Sequence, residues 1–238
     1  KKDKNKIAIL VQSRINNLNL KFILDTLSEN SIIYFNGLFS EESFSYKKFH
    51  QDVLDTFISC YNTSKSKTIN KSVLTKVNNS IQSLYEGKIN DEINSLMKLL
   101  EVFFTHIITD KSFLSNDEKY MLIVDVLSNN ALKQSMEYLD ENIIITTVHS
   151  AKGLEFPVVF LVGMEEGIFP GYKSIGEQKE LEEERRLCYV GVTRAKENLF
   201  LTNSKQRTTF GSTTHNPPSR FLQEIPKELL DGYDDAIS

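Results

Sequence analysis

The residue types best suited to chemistry are gathered in one short stretch, Thr147-Val148-His149-Ser150-Ala151-Lys152-Gly153-Leu154-Glu155-Phe156-Pro157. His149 and Lys152 can donate to phosphate oxygens, Lys152 as a point charge. Glu155 can accept from a sugar hydroxyl. Gly153 lets the backbone turn or approach a ligand closely. The stretch joins two strand-like runs, and in open α/β sheets ligands bind outside the carboxyl ends of the strands. The spacing therefore predicts a ligand-facing loop at that edge. By residue type alone, an ordinary strand connection with solvated polar groups reads equally well.

A second constellation is Glu182-Glu183-Glu184-Arg185-Arg186-Leu187-Cys188-Tyr189-Val190-Gly191-Val192-Thr193-Arg194-Ala195. Glu182 stands at helical spacing from both Arg185 and Arg186, which reads as a solvated ion-pair face. Arg194 differs, because it follows Gly-Val-Thr at the expected helix end. An arginine there can be aimed at an anion in trans, as a finger that stabilises charge on a transferring γ-phosphoryl group. A third group is Arg207-Thr208-Thr209-Phe210-Gly211. An exposed Phe210 beside arginine could stack on a nucleobase; a core phenylalanine is the plainer reading. Pro217-Pro218-Ser219-Arg220-Phe221-Leu222 reads as a structural loop and capped helix.

Several chemistries have no residues to run them. The chain has no G-x-x-x-x-G-K-[ST] phosphate loop. It has no strand ending in paired acids for magnesium, no zinc-spaced His/Cys cluster and no Gly-x-Ser-x-Gly elbow. Nucleotide hydrolysis would need half of its machinery from another domain. Cys60 and Cys188 lie too far apart in sequence for a metal pair or a disulfide framework, which fits a reducing compartment. No run approaches the apolar length of a bilayer span, so the expectation is no membrane and a cytoplasmic address. Net charge is −4, so any nucleic-acid contact must come from a local patch.

The elements that position these groups follow from hydrophobic spacing. Ile7–Val11, Ile32–Phe35, Asn142–Val148, Pro157–Val162 and Asn198–Thr202 read as strands, several of them continuous apolar runs typical of buried parallel strands. Helical spacing marks segments around Leu18–Leu27, Phe49–Ile58, Ile89–Ile108, Glu118–Leu139, Glu180–Ala195 and Ser219–Ile225. The Ser/Thr/Lys/Asn-rich stretch Tyr61–Ser80 reads as a loop. Strands alternate with helices at both ends, which predicts an α/β fold, a parallel sheet flanked by helices. Residues 40–140 interrupt that alternation as a helical insertion. All 5 prolines lie at or beyond Pro157, and 7 of 10 glycines fall between Gly153 and Gly211, which puts the chemistry after residue 140.

These residues resemble the C-terminal portion of superfamily 1 DNA helicases of the UvrD/Rep/PcrA family, the UvrD/PcrA branch most closely. Thr147-x-His149-x-x-Lys152-Gly153-Leu154-Glu155-Phe156 resembles the family's motif V, and Glu182 to Ala195 its motif VI. Gly163-Met164-Glu165-Glu166-Gly167-Ile168-Phe169-Pro170, Arg207-Thr208-x-Phe210-Gly211 and Pro217–Phe221 are similar as well. The resemblance implies a RecA-like (P-loop NTPase-type) fold: residues 1–60 as the first part of a second RecA-like domain, 61–140 as a reduced helical insertion, and 141–238 as the remainder with motifs V and VI. It implies Arg194 as a catalytic arginine finger, with Gly153, Glu155 and Arg194 binding ATP. Thr147, His149, Lys152, Phe210 and Arg14 would touch single-stranded DNA. ATP and magnesium would be held mainly by an N-terminal RecA-like ATPase domain, with 3′-to-5′ translocation as the parent activity. Where the family usually reads Ala-x-Leu-Tyr-Arg-x-Asn, this chain has Ala8-Ile9-Leu10-Val11-Gln12-Ser13-Arg14, which puts DNA contact by that segment in question. Two rival expectations are a non-catalytic DNA-binding or docking module derived from a helicase half, and the helicase part of a RecBCD/AddAB-type helicase–nuclease.

Overall fold

A computed structural model describes residues 6–12, 18–209 and 212–232. The chain forms two compact units, one from residues 1–35 and 141–238, the other from residues 36–140.

The first unit is built on β1 (Ile7–Val11), α1 (Leu18–Glu29), β2 (Phe35–Gly37), β3 (Ile143–Thr147), β4 (Phe156–Val162), α6 (Gln178–Val192) and β5 (Ala195–Thr202). The sheet order is β2-β3-β1-β4-β5. β1 pairs in parallel with β3 and β4, and β4 with β5. The predicted parallel α/β sheet is present, with β2 starting at Phe35 instead of Ile32. The apolar runs form a buried centre from Ala8, Leu10, Ile144, Ile145, Val159 and Leu161, each with no exposure. α6 lies close on this sheet at Gly191. A Cβ there would sit 3.2 Å from both Leu161 methyls and 3.4 Å from Val148 Cγ1.

After β5 come a hairpin of β6 (Arg207–Thr209) and β7 (Ser212–Thr214), and a short α7 (Arg220–Gln223). The expected structural role of Pro217–Phe221 takes a specific form. Ser219 N–H donates to the Met164 carbonyl at 2.8 Å, and Glu166 N–H to the Pro217 carbonyl at 3.0 Å. Arg220 donates to Glu166 from its backbone N–H at 2.8 Å and from Nη2 at 2.6 Å. Burial opposes the charge on Glu166, but these bonds from Arg220 hold its carboxyl below the usual carboxylate range. Phe221 meets Phe169 edge-on, with ring centroids 5.9 Å apart.

The second unit contains α2 (Phe44–Thr63), α3 (Lys71–Leu84), α4 (Asp91–Thr109) and α5 (Asn116–Ser128), followed by a 3-10 turn at Leu132–Tyr138. Polar residues start these helices. Ser43, Asn70 and Asn90 accept from the backbone of Tyr46, Val73 and Ile93, and Ser115 forms a capping box with Glu118. Each such cap stabilises its helix by about 1 kcal/mol. One expectation changes here. The stretch read as a loop contains α3, because Val73, Leu74, Val77 and Ile81 suffice for one buried stripe and Asn70 caps its start. The unit spans residues 36–140, close to the helical block read at 40–140. α2 buries Tyr46, Phe49, Val53 and Phe57 in a core it shares with α3, α4 and α5.

His50 sits in that core without exposure. Its Nδ1 lies 2.9 Å from the Tyr46 carbonyl, and its Nε2 accepts from the Leu132 N–H at 3.3 Å. One nitrogen donates and the other accepts, so the ring is neutral. Burial lowers its pKa below the ordinary 6.5, against the pull of the Tyr46 carbonyl and the Glu41 charge. The unfolded chain takes up a proton near that pH, and the folded chain only below it. Stability is therefore complete above the ordinary value and is lost as pH falls through it. Urea unfolding midpoints followed by circular dichroism are expected to fall between roughly pH 7.5 and 5.5, and His50→Gln to blunt that fall. Unchanged midpoints would mean that this ring takes up its proton in the fold as readily as in the open chain.

Candidate functional site

The loop from β3 to β4 does not stay at one edge of the sheet. Thr147 and Val162 both stand level with Val11 in the parallel register, whereas Phe156 lies below Ile7. The loop thus leaves the carboxyl edge at Thr147 and reaches the amino edge at Phe156. That is the run from Val162 back to Phe156, about 20 Å at 3.3 Å per residue. This corrects the expectation of a loop wholly outside the carboxyl ends. The next strand is parallel, so the chain has to return before entering it.

At the carboxyl edge, Thr147 is buried and its hydroxyl donates to Ser150 Oγ at 2.9 Å. The Ser150 N–H donates back to Thr147 Oγ1 at 3.0 Å. These two bonds shape the turn that follows β3. That turn leaves His149 and Lys152 exposed. Gln12, at the end of β1, donates from Nε2 to Glu184 Oε1 at 2.8 Å. Burial raises the pKa of Glu184, against bonds from Gln12 and the Gly171 N–H, and the charge of Glu180 adds to the rise. Glu184 Oε2 is buried without a hydrogen-bond partner.

Along the loop, Gly153 has φ +88°, the left-handed region, and open space where a Cβ would stand. Its role here is the turn, not close packing. Arg194 follows α6, and its carbonyl accepts from the Phe156 N–H at 2.8 Å. The guanidinium is half-buried and folds back on its own unit. Nε donates to the Val190 carbonyl at 2.9 Å, Nη1 to the Leu154 carbonyl at 2.8 Å and Nη2 to Thr193 Oγ1 at 3.0 Å. None of these three acceptors is a carboxylate. Glu155 is exposed, and its Oε2 lies 3.9 Å from Lys196 Nζ. The structure thus gathers Glu155 and Arg194 at one edge, through Leu154 and Phe156, and leaves His149 toward the other.

Arg14 and Phe210 lie outside the described residues. Arg185 pairs with Glu182 as expected and also with Glu224 at 2.8 Å, which ties α6 to the α7 segment. Arg186 pairs with Glu183, one residue from the expected Glu182. Burial, with the charges of Glu224 and Glu184, pushes the Cys188 thiol up to about 12, so it is held protonated. Lys196, which sequence reasoning passed over, stands two residues after Arg194. No spacing in the sequence signals it, because its contact with Glu155 arises only where β4 and β5 pair. Among the described residues, no group of three His, Cys, Asp or Glu side chains is placed to hold a metal ion. No described helix is long and apolar enough to cross a membrane.

The sequence model for the UvrD-like helicase C-terminal domain matches residues 4–206. The chain is 49% identical over 130 residues to ATP-dependent DNA helicase PcrA of Bacillus subtilis, covering 51% of this chain and 18% of that protein. It is 38% identical over 175 residues to the PcrA of Leuconostoc citreum, covering 70% and 23%. With DNA helicase II of Escherichia coli it shares 40% over 154 residues, 63% and 21%. The matches thus span less than a quarter of each of these relatives.

Proposed function

The chain belongs to the UvrD-like helicase C-terminal domain family, and on that premise we propose that it forms the second wall of a two-domain ATP cleft in a 3′-to-5′ DNA helicase. The observation that carries the reading is the amino-edge cluster. An exposed carboxylate and a half-buried guanidinium stand on adjoining segments, linked by the bond from Arg194 Nη1 to Leu154 O, next to Glu155. The carboxylate suits a ribose hydroxyl as acceptor. A guanidinium has five N–H donors, and the three in-unit bonds leave one on each Nη for a γ-phosphate. The phosphate loop and magnesium acids would come from an N-terminal RecA-like domain of a longer protein, as would most of the grip on ATP. A cytoplasmic location fits that role.

The opposite edge carries the nucleic-acid side. His149 and Lys152 stand exposed on the turn that Thr147 and Ser150 brace, as donors for the phosphates of a single strand. Thr147 acts through that turn. Phe210 keeps its proposed DNA contact on the strength of its motif alone, while Arg14 stands where the family usually has asparagine and has no motif behind its contact. Lys152→Ala in the full-length protein is expected to weaken single-strand binding regardless of sequence. The slope of log affinity against log salt should become shallower by about 0.7, the value for one phosphate on a single strand. Fluorescence-anisotropy titrations at several salt concentrations measure this, and an unchanged slope removes Lys152 from the DNA track.

A further inference from the structure

The pair formed by Glu155 and Lys196 is hard to explain as a stabiliser of the fold. Its side chains are 58% and 41% exposed and its atoms 3.9 Å apart. Pairs of this kind contribute about 0–1 kcal/mol. Its position is more informative. Phe156 of β4 stands beside Ala195 of β5, just before a shift in their register, so Glu155 and Lys196 flank the paired positions that begin the amino edge. A lone exposed glutamate samples many rotamers, and accepting one ribose hydroxyl requires one of them. A cation on the neighbouring strand restricts the carboxylate on that side and leaves its second oxygen for the hydroxyl.

We propose that Lys196 is the positioning residue for Glu155, holding its carboxylate in the orientation that accepts a ribose hydroxyl of the nucleotide. This deepens the reading of the amino edge as a nucleotide site and rests on it. Lys196 acts through Glu155 and leaves the transferred phosphoryl group to Arg194. Its removal should therefore weaken nucleotide capture and spare the chemical step.

The test is steady-state ATP hydrolysis by the full-length, DNA-stimulated protein, using ATP, 2′-deoxy-ATP and 3′-deoxy-ATP. Lys196→Met is expected to raise KM for ATP about fivefold, the upper range for an exposed pair, with kcat within about twofold. Lys196→Arg should restore KM. With whichever deoxynucleotide lacks the recognised hydroxyl, wild type and Lys196→Met should have equal KM, because the two groups act as one coupled unit. An unchanged KM for ATP in Lys196→Met overturns the proposal, and so does an equal rise for all three nucleotides. Glu155→Ala separates the two levels. If it leaves KM for ATP unaltered, the ribose contact itself fails. If it raises KM while Lys196→Met does not, only the positioning role fails.

Discussion

Arg194→Ala in the full-length protein is expected to cut ATP hydrolysis by about a thousandfold or more while leaving nucleotide binding largely intact. The size follows from what such a finger supplies, 10³–10⁵ in rate by stabilising charge on the transferring phosphoryl group. The geometry explains why the loss falls on rate. A flexible arginine would lose side-chain entropy on reaching the transition state. Here Val190, Leu154 and Thr193 already hold the guanidinium through three bonds at 2.8–3.0 Å, so much of that ordering is completed on folding. Lysine should not rescue, because a single ammonium cannot keep this forked tether and also face an anion. Single-turnover hydrolysis with a fluorescent-nucleotide titration makes the measurement. Because the side chain also bonds its own unit, the melting temperature of the variant must be followed beside the rate. A rate within about tenfold of wild type, with the fold intact, removes Arg194 from the finger role.

The second large expectation is that the 238-residue polypeptide alone turns over no ATP, with or without single-stranded DNA. The physical reason is a shortage of parts. There is no phosphate loop in its sequence, and no metal-holding cluster among its described residues. One guanidinium and one carboxylate can complete a cleft but cannot bind a triphosphate and activate water unaided. A coupled phosphate-release assay on the isolated chain beside a full-length relative decides the matter. Turnover by the isolated chain above buffer background would show that the site is organised differently from this account.

The sheet was largely legible in the sequence because parallel strands must bury both faces. Ile7–Val11 and Pro157–Val162 are therefore apolar without alternation. The helical character of residues 40–140 was legible too, but not the boundary within it between sheet-packed and helix-packed segments. α2 has an apolar stripe that would suit either a sheet or other helices, and a stripe does not name its partner. α3 escaped because five apolar residues in fourteen, four of them buried, fall below the density expected of a helix. Its cap, Asn70, was the overlooked signal. In the site, residue types pointed to His149, Glu155 and Arg194, yet the division of their loop between two edges was hidden. Sequence order places Thr147 and Glu155 in one loop, and only the register of β3 and β4 against β1 shows that this loop changes edges. Lys196 was hidden for a related reason, since its contact with Glu155 exists only through strand pairing. Gln12 was noticed as a departure from the family pattern. Its bond to Glu184 shows that the replacement serves α6 through a neutral amide, in place of a cation.

The eight residues from Val148 to Glu155 work as a short tie-rod. Stretched fully, the path from Thr147 to Phe156 reaches about 30 Å, and part of that reach is already taken up in tight turns at Ala151, Lys152 and Leu154. Little slack remains across a drop of about 20 Å. If a bound nucleotide pulled on Glu155, the displacement would have to pass along the rod toward His149 or shift the strands themselves. Inserting two or three glycines beside Gly153 would lengthen the rod without touching either end. Such a motor would be expected to idle, burning fuel while slipping along its track.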